Sequence, residues 1–122
     1  MTTRQAQSNR LLIPGYKSFQ NPESIIRLEG SGNYTIIHLR RESRPLMVSQ
    51  TLKYFEDQLP GFIRVSKSSL INPMFVERPI HFDTKTVHLL LKDGTSIAIS
   101  RRRIVDTINR LDAQVRGAWG SN

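Results

Sequence analysis

The chain has 122 residues with 18 Lys and Arg, 10 Asp and Glu and no cysteine, and its formal net charge is +8. This length fits one domain, and the lack of cysteine excludes disulfides, thiolate metal sites and cysteine nucleophiles. No stretch has the apolar length of a signal peptide or a membrane span, which predicts a cytoplasmic protein with no membrane partner. The positive charge indicates a polyanionic partner, most often nucleic acid, with a solubilising basic surface as the alternative.

The N-terminal half of the sequence predicts short strands separated by turns. Residues 1–8 are polar and predict a flexible lead-in. Strands are expected at 11–13, 16–19, 24–28, 34–39 and 45–48, with turns at 21–22, 30–33 and 40–43. Leu52, Phe55 and Leu59 then fall at helical spacing, which predicts a short helix over 51–59 that ends at Pro60.

The C-terminal half predicts more strands and one further helix. Strands are expected at 62–65 and 75–82, and the segment 66–72 fits either a loop or one helical turn. The last helix is expected over about 101–113, where the apolar residues recur at helical spacing. The two halves together predict a mainly β fold with two short helices.

The segment 87–100 carries the clearest local pattern. Two strand-like runs flank Asp93-Gly94, a pair typical of a two-residue type I′ hairpin turn, which would place Leu90 opposite Ile97. In that register both faces of the hairpin are largely apolar. The pattern therefore predicts a hairpin that lies between two layers of the fold.

Three consecutive arginines stand where the last helix should begin. Arg101, Arg102 and Arg103 would add cations to the positive end of the helix dipole, where each costs roughly 0.3–1 kcal/mol when exposed. A local rule broken without visible compensation suggests a function. A DNA phosphate or a guanine edge would be the compensating group. A solvated charge cluster beside a core helix is the alternative.

Two loops carry further donors that suit nucleic acid. The segment 64–72 is expected to expose Lys67, Ser68 and Ser69 between apolar positions, and a cation beside short hydroxyl donors suits a polyanion. The turn 30–33 is rich in glycine and ends at Asn33, whose amide can read adenine. An ordinary polar loop and a plain turn are the alternatives, and the residues alone favour them.

In order along the chain, four stretches resemble the motifs of LytTR DNA-binding domains. They are 26–34 (IRLEGSGNY), 51–53 (TLK), 62–72 (FIRVSKSSLIN), and the pair 93–94 (DG) followed by 99–102 (ISRR). The resemblance covers roughly 11–111. It departs from the family pattern at Ser66, where a histidine is usual, and at Ser69, where an aromatic residue is usual.

The resemblance implies an elongated fold of stacked β-sheets with two short flanking helices, which contacts double-stranded DNA through loops and regulates bacterial transcription. By motif position it implies base contacts by Asn33, Lys67 and Arg102. Phosphate contacts are then expected from the neighbouring residues Arg64, Ser68, Arg101 and Arg103. The resemblance also implies DNA sites built of paired direct repeats, and it leaves open a homodimer on DNA and a separate sensor or regulator protein.

Many LytTR proteins also carry a receiver or a membrane sensor domain, and the sequence shows neither. We therefore expect a stand-alone regulator, with a domain excised from a longer protein as the alternative. Residues 9–115 would form the DNA-binding domain and residues 116–122 a C-terminal tail.

Two other classes of function were weighed. An enzyme would have to use His38, His81 or His88 with Glu29 or Asp83, but no metal-ligand spacing, nucleophile elbow or phosphate loop surrounds them. We therefore expect no enzymatic activity, no metal and no cofactor. A small β-rich RNA-binding or protein-interaction module is the remaining alternative, although an RNA binder would need exposed aromatic residues and these make up only 7% of the chain.

Overall fold

The computed structural model describes residues 11–14, 19–42 and 44–119, and it describes their side chains except those of 19, 20 and 115–119. The predicted lead-in 1–8, the strand residues 16–18 and the tail residues 120–122 lie outside the described residues. The described part contains ten strands and two α-helices, which confirms the prediction of a mainly β fold. The predicted domain limits of 9 and 115 stay a prediction.

The strands form three antiparallel sheets. The strands are β1 Leu11–Leu12, β2 Phe19–Gln20, β3 Ile25–Ser31, β4 Tyr34–Leu39, β5 Leu46–Val48, β6 Ile63–Ser66, β7 Ser69–Ile71, β8 Val76–Asp83, β9 Thr86–Leu91 and β10 Ser96–Ala98. The helices are α1 Leu52–Gln58 and α2 Ile104–Trp119, and single 3-10 turns occupy Pro22–Ser24, Pro73–Phe75 and Arg101–Arg103. The strand orders are β1-β2, β5-β4-β3-β7-β6 and β10-β9-β8.

The five-stranded sheet buries an apolar cluster on each of its faces. One cluster joins the sheet to β1 and α1, and it includes Leu70 of β7 and Phe55 of α1. The other joins the sheet to β9 and α2, and it includes Ile71 of β7 and Leu89 of β9. Successive residues of a strand point to opposite faces. The short strand β7 therefore ties the two clusters together.

Local capping fixes where the helical segments begin. Thr51 caps α1, and its hydroxyl oxygen accepts a hydrogen bond from the Tyr54 amide at 3.4 Å. Asn72 caps the turn Pro73–Phe75 in the same way. Its buried amide also donates to the carbonyl oxygen of Ile25 at 2.9 Å. This asparagine therefore orders a turn and joins it to β3.

The segment 66–72 is a loop only at residues 67–68, and it contains no helical turn. Residues 69–71 form β7, which pairs with β3 on one side and with β6 on the other. Three residues are too few to show a strand period, so the pattern could not distinguish these possibilities. Pairing on both sides, rather than local propensity, makes this segment a strand.

The predicted register of the β9–β10 hairpin is wrong by one residue. Ile97 lies opposite Leu89, not Leu90, and the loop is the three residues 92–94, closed by a hydrogen bond from the Leu91 amide to the Thr95 carbonyl at 2.8 Å. In this register Ile97 lies on the same face as the buried Leu89. A single face is therefore apolar, and the prediction of a hairpin covered on both faces is also wrong.

The last helix is longer than its pattern predicted. It continues six residues beyond 113 and ends at Trp119. Among the described residues, neither helix combines the length and the apolar character that crossing a membrane requires.

Candidate nucleic-acid interface

Three of the predicted contact residues, Asn33, Lys67 and Ser68, lie in two turns at the same end of the five-stranded sheet. β3 runs toward the turn 32–33, and its Glu29 lies opposite Ser69, the first residue of β7. Because β7 is antiparallel to β3, the turn 67–68 that precedes β7 lies beside the turn 32–33. We call this the two-turn end, defined by residues 32–33 and 67–68.

The first turn presents Asn33 to solvent. Ser31 pairs with Tyr34, which leaves Gly32 and Asn33 as a two-residue hairpin loop. Gly32 has a φ of 62°, a left-handed conformation that glycine adopts without a steric cost. The turn thus holds the exposed Asn33 amide at the tip of the hairpin.

The second turn presents Lys67 and Ser68, and it is tied to the first. Ser66 pairs with Ser69, so residues 67–68 are again a two-residue loop, and both are exposed. The Ser68 carbonyl accepts a hydrogen bond from the Gly30 amide at 2.9 Å. This bond joins the second turn to the end of β3, two residues before the first turn begins.

The three arginines begin beside the same end. The Ser100 amide donates to the Val65 carbonyl at 2.8 Å, and the Ser100 hydroxyl donates to the same oxygen at 3.3 Å. Val65 lies two residues before Lys67 in the chain. The contact therefore places the turn Arg101–Arg103 next to the two-turn end. Arg101 and Arg102 are exposed and Arg103 is half-buried.

The start of α2 keeps the charge imbalance that the sequence predicted. Ser100 stands at the cap position but makes no side-chain capping bond, because its hydroxyl donates to Val65 instead. Asp106 is the only acidic residue in the first turn of α2. The three arginines are thus added to the positive end of the helix dipole, an arrangement that suits an anion brought by a partner.

Arg64 differs from the other predicted contact residues because its guanidinium points inward. The side chain is only 17% exposed. Its Nε donates to the Ser66 carbonyl at 2.8 Å and its Nη2 to the Lys67 carbonyl at 2.7 Å. Its Nη1 donates to Oε1 of Glu56 on α1 at 2.6 Å. The structure thus places the six other predicted residues at the surface around the two-turn end. The Arg64 guanidinium instead forms hydrogen bonds within the protein.

An open groove of about 510 Å³ lies between the second turn and the segment 95–100, which contains β10 and ends just before the arginines. Hydroxyl groups dominate its walls, which include Ser66, Ser68, Ser69, Thr95, Ser96 and Ser100. Arg27 and Glu29 also line it, and Oε1 of Glu29 lies 3.5 Å from Nη1 of Arg27 and 3.2 Å from Nε2 of His38. The groove therefore offers several hydroxyl groups beside the second turn and next to the start of the arginine turn.

Sequence reasoning missed two residues that shape the interface. Ser100 links the arginine turn to β6, and Glu56 anchors Arg64. Glu56 lies on α1, eight residues before Arg64, and only the folded chain brings the two together. In the part of the chain that the structure describes, no three His, Asp or Glu side chains gather as a metal site.

Comparison with known proteins points in one direction. The profile of the LytTr DNA-binding domain family matches residues 18–111. A solved structure of similar fold is the LytTr DNA-binding domain of a Bacillus cereus protein named as a methyl-accepting/DNA response regulator. Its TM-score is 0.69 at 19% sequence identity, over 84% of this chain and 94% of that one. No match was found among curated protein sequences.

Proposed function

The chain belongs to the LytTR family of DNA-binding domains, and from this premise we propose that it binds a defined sequence of duplex DNA and thereby regulates transcription. The observation that carries the proposal is the clustering of Asn33, Lys67 and Arg102. Each is exposed, each lies in a turn, and backbone hydrogen bonds join the three turns through β3 and β6. Fixed, exposed donors are what reading base edges requires.

We assign the base contacts to these three residues. The Asn33 amide has a donor and an acceptor that match adenine, and the Arg102 guanidinium matches the two acceptors of guanine. Lys67 adds a single cationic donor between them. Because the residues lie on separate turns, the domain would contact successive grooves through loops rather than insert one helix.

Phosphate contacts would supply most of the affinity. Arg101 and Arg103 flank Arg102, and the Ser68 hydroxyl stands beside Lys67. The hydroxyl-lined groove beside the second turn suits the sugar–phosphate backbone. Arg64 was predicted to share this role, but its guanidinium already binds three oxygen atoms of the chain, and we propose a different role for it below.

The wider assignments follow from the same proposal. We propose paired direct repeats as the DNA site, occupied by two copies of the domain. We further propose that the protein works in the bacterial cytoplasm as a binding protein without an enzymatic reaction or a cofactor. A separate sensor or regulator protein would then switch it.

Selection from a pool of random duplexes tests the proposal. The wild type should enrich a direct-repeat motif, and Arg102→Ala should lose preference at one base step, with about 1–3 kcal/mol less discrimination. The matched control is Arg41→Ala, which removes an exposed arginine at the opposite end of β4 from Asn33. It should leave the motif unchanged.

The other outcomes separate the alternatives. Tight binding without enrichment would reduce the protein to a non-specific DNA binder. Preference for single-stranded RNA in competition would favour an RNA-binding module. If Arg102→Ala and Arg41→Ala enrich the same motif as the wild type, the assignment of Arg102 to a base contact is wrong.

A further inference from the structure

We propose that Arg64 is a positioning residue that holds the backbone of the turn 67–68 in its binding shape, with Glu56 as its anchor. This inference rests on the proposed function, because it explains how Lys67 is presented to a base. It replaces the expectation that Arg64 contacts a phosphate. The geometry that supports it is a set of three hydrogen bonds from one guanidinium.

Two of the three Arg64 bonds are directed at the backbone of the turn. They end on the carbonyl oxygens of Ser66 and Lys67, the residues on either side of the peptide bond that enters the turn. A planar guanidinium donates through a fixed fork, so it fixes the orientation of both peptide groups. A lysine at this position would have three donors on one ammonium nitrogen but no planar fork, so it could not fix the two peptide groups in the same way.

The third Arg64 bond anchors the guanidinium to Glu56. Glu56 lies on α1. The preceding residue of the same helix, Phe55, is fully buried in the core. The bond from Arg64 to Glu56 is 2.6 Å long, and the two side chains are 17% and 32% exposed. A charged bond in such a partly desolvated place is stronger than an exposed ion pair. The turn is therefore held in place by a helix packed on the core as well as by its own hairpin.

The turn 67–68 is also linked to the neighbouring turn 32–33. The Ser68 carbonyl accepts from the Gly30 amide at 2.9 Å. Fixing residues 66–67 therefore also fixes the acceptor that Gly30 uses, close to the turn that carries Asn33. Loss of Arg64 should loosen both turns together.

The positioning role predicts that removing the charge of Glu56 changes DNA affinity in the opposite direction from the usual one. Removal of an acidic side chain near a DNA-binding surface ordinarily strengthens binding, because repulsion of phosphate falls. If Glu56 acts by anchoring Arg64, Glu56→Gln should instead weaken sequence-specific binding. Asp57→Asn is the matched control: it removes the same charge from the next residue of α1, whose carboxylate pairs with Lys53 at 3.0 Å, whereas Arg64 pairs with Glu56.

The experiment compares Arg64→Ala and Glu56→Gln with Asp57→Asn and Arg110→Ala. Arg110 is the control for Arg64, since its Nη2 also donates to backbone carbonyls, those of Phe62 at 3.1 Å and Pro60 at 3.4 Å, but before β6 begins. Two quantities are measured. One is the amide exchange rate of Gly30 in the free protein, and the other is binding to the selected duplex and to a random duplex over a range of salt.

The expected results differ between the pairs. Arg64→Ala should speed Gly30 exchange and weaken specific binding by about tenfold or more, with preference lost at the base read by Lys67. The salt slope on the random duplex should match that of Arg110→Ala. Glu56→Gln should act in the same direction more weakly, because glutamine keeps an acceptor oxygen. Asp57→Asn and Arg110→Ala should leave Gly30 exchange and base preference unchanged.

Two results would overturn the inference. One is unchanged Gly30 exchange in Arg64→Ala. The other is a salt slope for Arg64→Ala that falls by about 0.9, the loss of one phosphate contact, while Glu56→Gln binds DNA more tightly. If Gly30 exchange responds as expected but the wild type selects no sequence, the positioning role stands and the proposed function fails.

Discussion

Two hairpins of this protein end in similarly short loops, but side chains and distant segments contribute differently to them. The β9–β10 loop, residues 92–94, is closed mainly by local bonds: the Gly94 amide donates to the Leu91 carbonyl at 2.9 Å and the Thr95 amide to Oδ1 of Asp93 at 2.9 Å, and one bond leaves the loop, from the Lys92 amide to the Phe75 carbonyl at 2.7 Å. The β6–β7 turn, residues 67–68, has one local bond, from the Ser68 amide to the Ser66 hydroxyl at 3.2 Å, and is otherwise held by Arg64, its partner Glu56 and Gly30. The loop closed mainly by local bonds is the one that the sequence predicts as a hairpin. The turn that carries a proposed base contact is the one that needs the rest of the fold.

The largest expected difference between the hairpins concerns their strands. Leu70 of β7 is fully buried, whereas Leu90 of β9 is half-buried. Leu70→Ala should lower the free energy of unfolding by about 2–5 kcal/mol, because it leaves a cavity in the core. Leu90→Ala is the matched change and should cost markedly less. Urea unfolding of the two variants measures the difference, and equal losses would contradict the view that β7 ties the two apolar clusters together.

A smaller effect is expected in the loop closed mainly by local bonds. Gly94 has a φ of 92°, and a Cβ atom added there would meet nothing within 4 Å. Gly94→Ala should therefore lower the free energy of unfolding by about 1–2 kcal/mol for conformational reasons alone. Gly61→Ala, also in open space and without a positive φ, is the control and should be close to neutral. If Gly94→Ala also changed which DNA is selected, the two loops would not be independent.

The smallest effect concerns the charge on Asp93. Partial burial by itself raises the pKa of this carboxyl, but hydrogen bonds from Thr95 outweigh it and the pKa lies below its ordinary value. A carboxyl with a lowered pKa stabilises the fold above its unfolded-state pKa, and this contribution is lost as pH falls through the folded-state pKa. The wild type should therefore lose its small advantage over Asp93→Asn on acidification. Unfolding curves measured from neutral to acidic pH test this, and a gap that widens in acid would contradict it.

Prediction from the sequence succeeded where one segment determines its own structure. β4 was predicted over the residues it occupies, and α1 was placed within one residue at each end, because alternation or helical spacing is complete within those segments. The register of the β9–β10 hairpin was missed because Asp93-Gly94 suits both a two-residue and a three-residue loop. Packing of Ile97 beside Leu89 decides between them, and that packing is a property of the core.

Some residues of the candidate site could be predicted from their own segment, whereas the orientation of Arg64 depends on another part of the fold. Asn33, Lys67 and Arg102 could be proposed from turn chemistry, charge and motif position, and their roles remain proposals. The inward orientation of Arg64 could not be foreseen, because its partner Glu56 lies in a different element. A basic residue in a motif indicates a cation, but only the neighbouring acid shows whether that cation is free for a partner.

The contact between Ser100 and Val65 also bears on how the protein avoids self-association. β6 and β10 are edge strands of two different sheets, and exposed edges invite pairing with other chains. Ser100, two residues after β10, donates its amide to the carbonyl of Val65 in β6 at 2.8 Å, so the chain beyond β10 occupies one acceptor of the β6 edge. The remaining edges of the two larger sheets are blunted by other means. β5 has three residues, and β8 contains Pro79 and two irregularities of register. Edges that are short, irregular or partly occupied leave little backbone for pairing with the strand of another chain.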